Sequence, residues 1–307
     1  MSIDAAIADL RRPDDGLLVG LVGSGIGPSL SPALHMREAR ELGLPYHYVR
    51  LDLDALRLPP EAIGDLLRQA RAAGFRGLNV THPCKQLVIP HLDALDPAAE
   101  AIGAVNTVVF DGDRAIGHNT DWTGFRDGLL DGLPDARLGR VVLIGAGGAG
   151  AAASHALLSI GAGTVDVLDV DASRAVGLAA ALADRFGVGR ATGHGISELA
   201  DRVQAADGVV HATPMGMSEH PGLPVPPTSL RSGLWVAEIV YRPLDTELLR
   251  AARAVGCATL DGGRMAVHQA AEAFRLFTGL DADAGRMRRH LTELVRGESG
   301  AGGHRVA

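Results

Sequence analysis

Residues 16–23, GLLVGLVG, form an apolar run too short for a helix, which predicts a buried strand ending at a loop. The loop SGIGPSLSP follows, and ALHMREARELG then spaces its apolar residues as a helix does. YHYVRLDL reads as a second strand, and PEAIGDLLRQARAAG as an amphipathic helix closed by Gly74. FRGLNV predicts a third strand, with a short helix from Pro83. In VNTVVFDGDRAIGHNTD two apolar runs flank Asp111-Gly112, the pattern of two strands joined by a tight turn. Strands alternating with helices imply a mainly parallel sheet covered on both faces.

A new unit starts at WTGFRDGLLDGL. The strand RVVLIG runs into a glycine-rich turn and a helix, followed by the strand TVDVLDVD and the helix ASRAVGLAAALADRFG. Later strands are GVVHAT (208–213) and LWVAEIVY (234–241), completing a βαβ series of the dinucleotide-binding type. RMAVHQAAEAFRLFTG closes the pattern as an amphipathic helix, and the tail GESGAGGHRVA has the composition of a disordered segment. The predicted fold class is α/β with two domains. Residues 1–121 plus 264–307 form an N-terminal, mainly parallel α/β domain, and residues 122–263 a Rossmann-like domain.

Composition removes several classes. A chain of 307 residues with 47% hydrophobic and 21% charged residues has enough apolar material for two cores. Its net charge is −7 and no basic stripe is present, which argues against a nucleic-acid partner. Cys84 and Cys257 make neither a disulfide framework nor a C-x-x-C pair, so a reducing cytoplasm is the expected setting. The opening MSIDAAIADLRRPDDG carries acids and lacks the apolar core of a signal peptide. Residues 141–163 are apolar enough to suggest a membrane span. Their glycines, His155 and the switch from strand-like to helix-like spacing argue against it. No His/Cys/Asp cluster has metal-ligand spacing.

The turn Gly145-Ala146-Gly147-Gly148-Ala149-Gly150 satisfies G-x-G-x-x-G. The first glycine serves the tight turn, the second the approach of backbone to pyrophosphate, and the third the contact of helix with strand. The anion then rests on the helix N-terminus, where unsatisfied N–H groups and the helix dipole favour negative charge. Asp169 stands 24 residues after Gly145, near the spacing of the acid that binds the adenine ribose. A carboxylate there accepts from the ribose hydroxyls and repels a 2′-phosphate, so NAD is expected over NADP. Val170 and Asp171 follow, and the nearby cation is Arg174. Asp169 equally suits a cap on the helix that starts near Ala172, a task open also to Asp171 or Ser173.

A dehydrogenase needs a bound alcohol beside the nicotinamide and a base for its proton. The first half offers Ser29 and Ser31 after the first strand, and Asn79, Thr81 and Lys85 after the third. Asn106 and Thr107 lie in GAVNT, and Asn119, Thr120 and Asp121 in GHNTD, all taken as C-terminal ends of strands. Such ends converge on one ligand edge. Each residue has a plain reading too: Lys85 as a solvated charge, the serines, Asn and Asp as turn formers.

Taken in order, GPSLSP, NVTHPCK, GAVNT, GHNTD, GAGGAG, ATPMGM and DGGRMAVHQA resemble the shikimate dehydrogenase family over about residues 17–290. The form of NVTHPCK and the acid Asp169 are most similar to the bacterial NAD-dependent quinate/shikimate dehydrogenases. The family's biosynthetic NADP enzymes usually show an Asn-Arg-Thr-like run in place of Asp169-Val170-Asp171. The resemblance implies an oxidoreductase moving hydride between NAD and the C3 hydroxyl of a cyclohexene or cyclohexane carboxylate, shikimate or quinate. Amino-substituted analogues are an alternative substrate, and a non-catalytic sensing relative is an alternative role.

By the same resemblance Lys85 is the acid/base and Asp121 its paired acid. Partial burial favours the neutral amine, while a nearby carboxylate opposes that shift. Ser29, Ser31 and Tyr241 would hold the substrate carboxylate, and Thr81, Asn106, Asp121 and Gln269 the ring hydroxyls. Asn79 would bond substrate or shape its turn, and Ile239 and Gly262 would line the nicotinamide. The cleft between the domains would close on the cofactor. His82, Cys84 and Trp122 depart from the residues common in the family. Hydride transfer needs no thiol, so Cys84 reads as packing, and His118 as structural. Nothing in the sequence fixes the assembly state, and a homodimer stays open.

Overall fold

The structure, a computed structural model, describes residues 16–301, with side chains through Gly297. The acid-bearing opening segment and the end of the glycine-rich tail lie outside the described residues. Residues 297–301, expected to be disordered, instead continue the helix Ala284–Ala301. Met287 and Leu291 are buried and anchor its earlier turns, and a nucleated helix gains one backbone bond per added residue.

Contacts divide the chain into two compact units. One holds residues up to Thr120 together with Ala270–Leu294, the other Asp121–Gln269 and residues from Val295.

The first unit is a sheet of β1 (Leu17–Gly23), β2 (Tyr46–Asp52), β3 (Gly77–Val80), β4 (Ala94–Leu95), β5 (Thr107–Asp111) and β6 (Arg114–His118), ordered β2-β1-β3-β5-β6-β4. β1 runs parallel to β2 and β3, while β5 runs antiparallel to β3 and β6. Alternation along β1 feeds two cores. Leu18 and Val22 pack with Ile63, Leu66 and Leu67 of the helix Ile63–Ala72, and Val19 and Leu21 with Tyr48, Phe274 and Phe277. Glu38 is fully buried and accepts from the Arg286 guanidinium at 2.5 and 2.9 Å and from Asp283 N–H at 2.8 Å. That pair ties the C-terminal segment to the helix Ser31–Glu41.

The second unit is a fully parallel sheet of β7 (Arg140–Ile144), β8 (Thr164–Asp169), β9 (Ala191–Gly195), β10 (Gly208–His211), β11 (Trp235–Glu238) and β12 (Ala258–Leu260), ordered β12-β11-β10-β7-β8-β9. This is the doubly wound dinucleotide-binding order, whose strand sequence reverses between β7 and β10. The apolar stretch 141–163 resolves into β7 and the helix Gly148–Ser159. Among the described residues no helix is long and apolar enough to cross a membrane.

Gly124, Gly128 and Gly132 recur every four residues along the helix Thr120–Gly132. A Cβ at Gly124 would stand 2.6 Å from the Gln269 Cβ, and one at Gly132 would stand 2.2 Å from a Leu260 methyl. The bare stripe lets the start of the helix Gly262–Thr278 press directly on this backbone.

Candidate active site

In the first unit, strand direction decides which residues meet. Because β5 is antiparallel to its neighbours, its start lies at the edge where β1, β3 and β6 end. Asn79, Thr107 and His118 are accordingly in register. Asn106 and Thr107 therefore stand at the head of β5, not at the C-terminal end of a strand as the pattern suggested. Antiparallel pairing brings them to the same edge.

The loop after β1 is held by side chains of β2. Asp52 accepts from Gly25 N–H at 3.2 Å and Ile26 N–H at 3.0 Å, and Arg50 donates to the Ser29 carbonyl at 2.8 Å. Ser31 N–H donates to Ser29 Oγ at 3.3 Å, where Ser31 begins a helix with proline in its first turn. After β3, Thr81 N–H donates to the Val22 carbonyl at 2.9 Å and Cys84 N–H to the Thr81 carbonyl at 2.8 Å. Lys85 follows in the short helix Cys84–Leu87, half-buried, its carbonyl accepting from Val105 N–H at 2.8 Å. The turn carrying Lys85 is thus fastened to GAVNT. The Cys84 thiol is buried, and burial, with Glu61 adding, pushes it up to about 11. It stays a protonated packing group.

Beneath these loops runs a buried chain of hydrogen bonds. Tyr48 O–H donates to Asn79 Oδ1 at 2.7 Å, and Asn79 Nδ2 donates to Thr107 Oγ1 at 3.0 Å. Thr107 O–H donates to Asn106 Oδ1 at 3.1 Å, and Thr120 N–H donates to the same oxygen at 2.7 Å. Asn106 Nδ2 donates to Thr120 Oγ1 at 3.0 Å. The chain fixes the orientation of both amides and the backbone immediately before Asp121. Within this network Asn79 also donates to the Asn106 carbonyl at 3.4 Å. His118 lies 3.0 Å from Asp96, which also caps the helix Pro97–Ile102. Burial alone would raise the Asp96 carboxyl; the His118 ring and the N–H groups of Ala98 and Ala99 outweigh it and hold the group below its ordinary value.

In the second unit, Gly145 has φ +104°, and a Cβ on Gly150 would stand 1.9 Å from the Gly145 carbonyl. No side chain caps the helix that starts after Gly147, so its leading N–H groups face the turn. Asp169 is buried and accepts from Ala146 N–H at 2.8 Å and Asp171 N–H at 3.0 Å. The cap left open between three residues falls to Asp171, which accepts from Ser173 N–H at 2.9 Å. The Ser173 hydroxyl and N–H also hold the Asp171 carboxyl below its usual range. The Arg174 guanidinium comes within 3.7 Å of where a Cβ on Gly147 would be. These residues fit a dinucleotide: a cradle that added Cβ atoms would fill, an uncapped helix N-terminus, and an acid one strand away.

Ile239 and Gly262 are brought together, since a Cβ on Gly262 would lie 2.3 Å from the Ile239 carbonyl. Tyr241 is half-buried two residues on. Asp121 is buried in the first turn of the helix Thr120–Gly132, whose Gly124 lies against Gln269. Gln269 Nε2 donates to the Ala266 carbonyl at 3.0 Å. Trp122 packs edge-on against His155 at 5.4 Å and under the Arg126 guanidinium at 4.8 Å.

Sequence reasoning missed Tyr48, His211, Thr213 and Glu238. An acid inside the otherwise apolar WVAE of β11 was the signal for Glu238, and ATPMGM for Thr213. Nothing local marks Tyr48.

Residues 21–108 match the shikimate dehydrogenase substrate binding domain, and residues 263–292 the shikimate 5'-dehydrogenase C-terminal domain. A shikimate dehydrogenase (NADP(+)) of Streptomyces avermitilis is 63% identical over 281 residues, covering 92% of this chain and 97% of that protein. A quinate/shikimate dehydrogenase (NAD(+)) of Corynebacterium glutamicum is 46% identical over 282 residues, covering 92% and 100%. The solved quinate dehydrogenase from Corynebacterium glutamicum in complex with NAD matches with a TM-score of 0.87 at 46% identity, covering 91% of this chain and 100% of that one.

Proposed function

Because the chain belongs to the shikimate dehydrogenase family and is an oxidoreductase acting on a CH–OH group, we propose that it interconverts shikimate with 3-dehydroshikimate and quinate with 3-dehydroquinate, preferring NAD. The observation that carries this reading is the convergence of GPSLSP, NVTHPCK, GAVNT and GHNTD on one edge of the first sheet.

Nicotinamide, when bound, supplies the acceptor for the hydride leaving C3. In oxidation Lys85, as the neutral amine, accepts the hydroxyl proton, and it returns that proton in the reverse direction. Asp121 orients the hydroxyl and supports the charge that develops. Ser29 and Ser31 hydroxyls and the Tyr241 phenol donate to the substrate carboxylate. Thr81, Asn106 and Gln269 bond the ring hydroxyls, and Asn79 keeps Asn106 in position through Thr107. Gly145–Gly150 receive the pyrophosphate, with Ile239 and Gly262 lining the nicotinamide. Two buried, unpaired cysteines suit action in the cytoplasm.

The NAD preference rests on charge. The Asp169 carboxylate stands at the end of β8, and Asp171, held ionised, follows two residues later. Both disfavour a 2′-phosphate. The Arg174 guanidinium comes near Gly147, in the turn assigned to the pyrophosphate that both cofactors share. The Streptomyces relative, named for NADP, makes this a direct test. kcat/KM measured with each cofactor should favour NAD, and Asp169→Asn should narrow the ratio; a strong NADP preference overturns the assignment. Kinetics with shikimate, quinate and their amino analogues test the substrate, and no reduction of either cofactor with any of them refutes the whole reading.

A further inference from the structure

His211 and Glu238 end the neighbouring parallel strands β10 and β11 and are register partners. They are 0% and 2% exposed, and the roles proposed above use neither. His211 Nδ1 lies 2.8 Å from Glu238 Oε1, which also accepts from Val240 N–H at 3.0 Å. Glu238 Oε2 accepts from the Thr246 hydroxyl at 3.2 Å. Thr246 in turn caps the helix Glu247–Ala254. On the other side His211 Nε2 lies 2.5 Å from Thr213 Oγ1, which accepts from Met215 N–H at 3.3 Å. A carboxylate only accepts, so Nδ1 carries the proton, and in the neutral ring Nε2 accepts from Thr213 O–H.

We propose that the buried His211–Glu238 pair is a positioning device that locks the loop Thr213–Met217 to the loop Ile239–Tyr241 at the ligand edge of the second sheet. The inference rests on the reading above, in which Ile239 lines the nicotinamide and Tyr241 binds the substrate carboxylate. Glu238 grips the backbone between those two residues at Val240 N–H, and His211 extends the grip to the neighbouring loop. An apolar pair of similar volume would fill the strand ends with less desolvation, yet it would leave the Val240 N–H and the Thr213 and Thr246 hydroxyls without these partners. The pair therefore fixes loop geometry rather than adding simple packing. Substrate affinity and cofactor affinity then share one support.

His211→Leu tests this, with KM for shikimate, the NAD dissociation constant and thermal unfolding read on the same preparation. Both KM and the dissociation constant should rise about tenfold in the folded variant, the scale of one lost buried hydrogen bond. His211→Asn, whose amide donates to Glu238 and accepts from Thr213, should recover most of both. Should His211→Leu not fold, Thr213→Val severs one arm and should raise the NAD dissociation constant about threefold with little change in KM for shikimate. Tyr241→Phe separates this idea from the one beneath it. If Tyr241→Phe leaves KM unchanged while His211→Leu still weakens NAD, the carboxylate role fails and the lock stands. If His211→Leu, or Thr213→Val in its place, lowers only the melting temperature, with kinetics per folded enzyme unchanged, the lock is refuted.

Discussion

At the ligand edge of the first unit, Tyr48, Asn79, Thr107, Asn106 and Thr120 are bonded to one another. At the ligand edge of β7 the corresponding surface is backbone, because Gly145, Gly147, Gly148 and Gly150 carry no side chain to cover it. In the proposed function the first edge would recognise a small polar ring through oriented amides and hydroxyls, and would lose function when a side chain is removed. The second would recognise an anion through N–H groups, and would lose function when a side chain is added. Substitutions of opposite kinds should therefore break the two edges.

At the glycine turn the larger effect is expected from Gly150→Ala, whose Cβ would meet the Gly145 carbonyl at 1.9 Å. NAD affinity by titration calorimetry should fall more than about a hundredfold, with some loss of stability. Gly147→Ala is gentler, since the nearest atom to its Cβ is Arg174 at 3.7 Å, an ordinary contact. It should fold normally and still weaken NAD about tenfold, because its methyl occupies the approach to the pyrophosphate. Unchanged affinity in both variants would break the comparison.

Acid should weaken the first unit. His35 is buried among Tyr46, Tyr48 and Phe274, and burial pushes its pKa down to about 3. A depressed histidine folds as the neutral ring. Its contribution is whole above about pH 6.5 and is lost progressively as pH falls towards 3. Unfolding free energy followed across that window should decline more steeply in the wild type than in His35→Leu; equal slopes would contradict it.

Tyr48→Phe is the smallest perturbation, removing one hydroxyl and leaving Asn79 Oδ1 buried without that donor. KM for shikimate should rise about three- to tenfold, while the NAD dissociation constant stays as in the wild type. A change in the NAD constant instead would show that the two edges are not separable in this way.

Much of this architecture was legible because it depends on neighbours in sequence. β1 and β7 are unbroken apolar runs, and the glycine turn is a fixed spacing after a strand. β9, with sequence ATGHG, and β12, three residues of ATL, escaped because one is polar and glycine-rich and the other too short to show a period. The head of β5 was misplaced for a different reason: strand direction is set by pairing with β3, which the pattern of a single segment does not carry. Partners failed in the same way. Tyr48 lies 31 residues from Asn79, and His211 lies 27 from Glu238, so each residue looks ordinary until the fold joins it to the other. Lys85 was singled out through its motif, and the structure adds the bond from Val105 N–H that fastens its turn.

The central claim is tested most directly by Lys85→Ala, assayed for NAD reduction with shikimate and, separately, for shikimate binding by calorimetry. The account expects kcat to fall by about 10²–10⁴, with shikimate affinity and thermal stability close to wild type. A variant that turns over at the wild-type rate would contradict it.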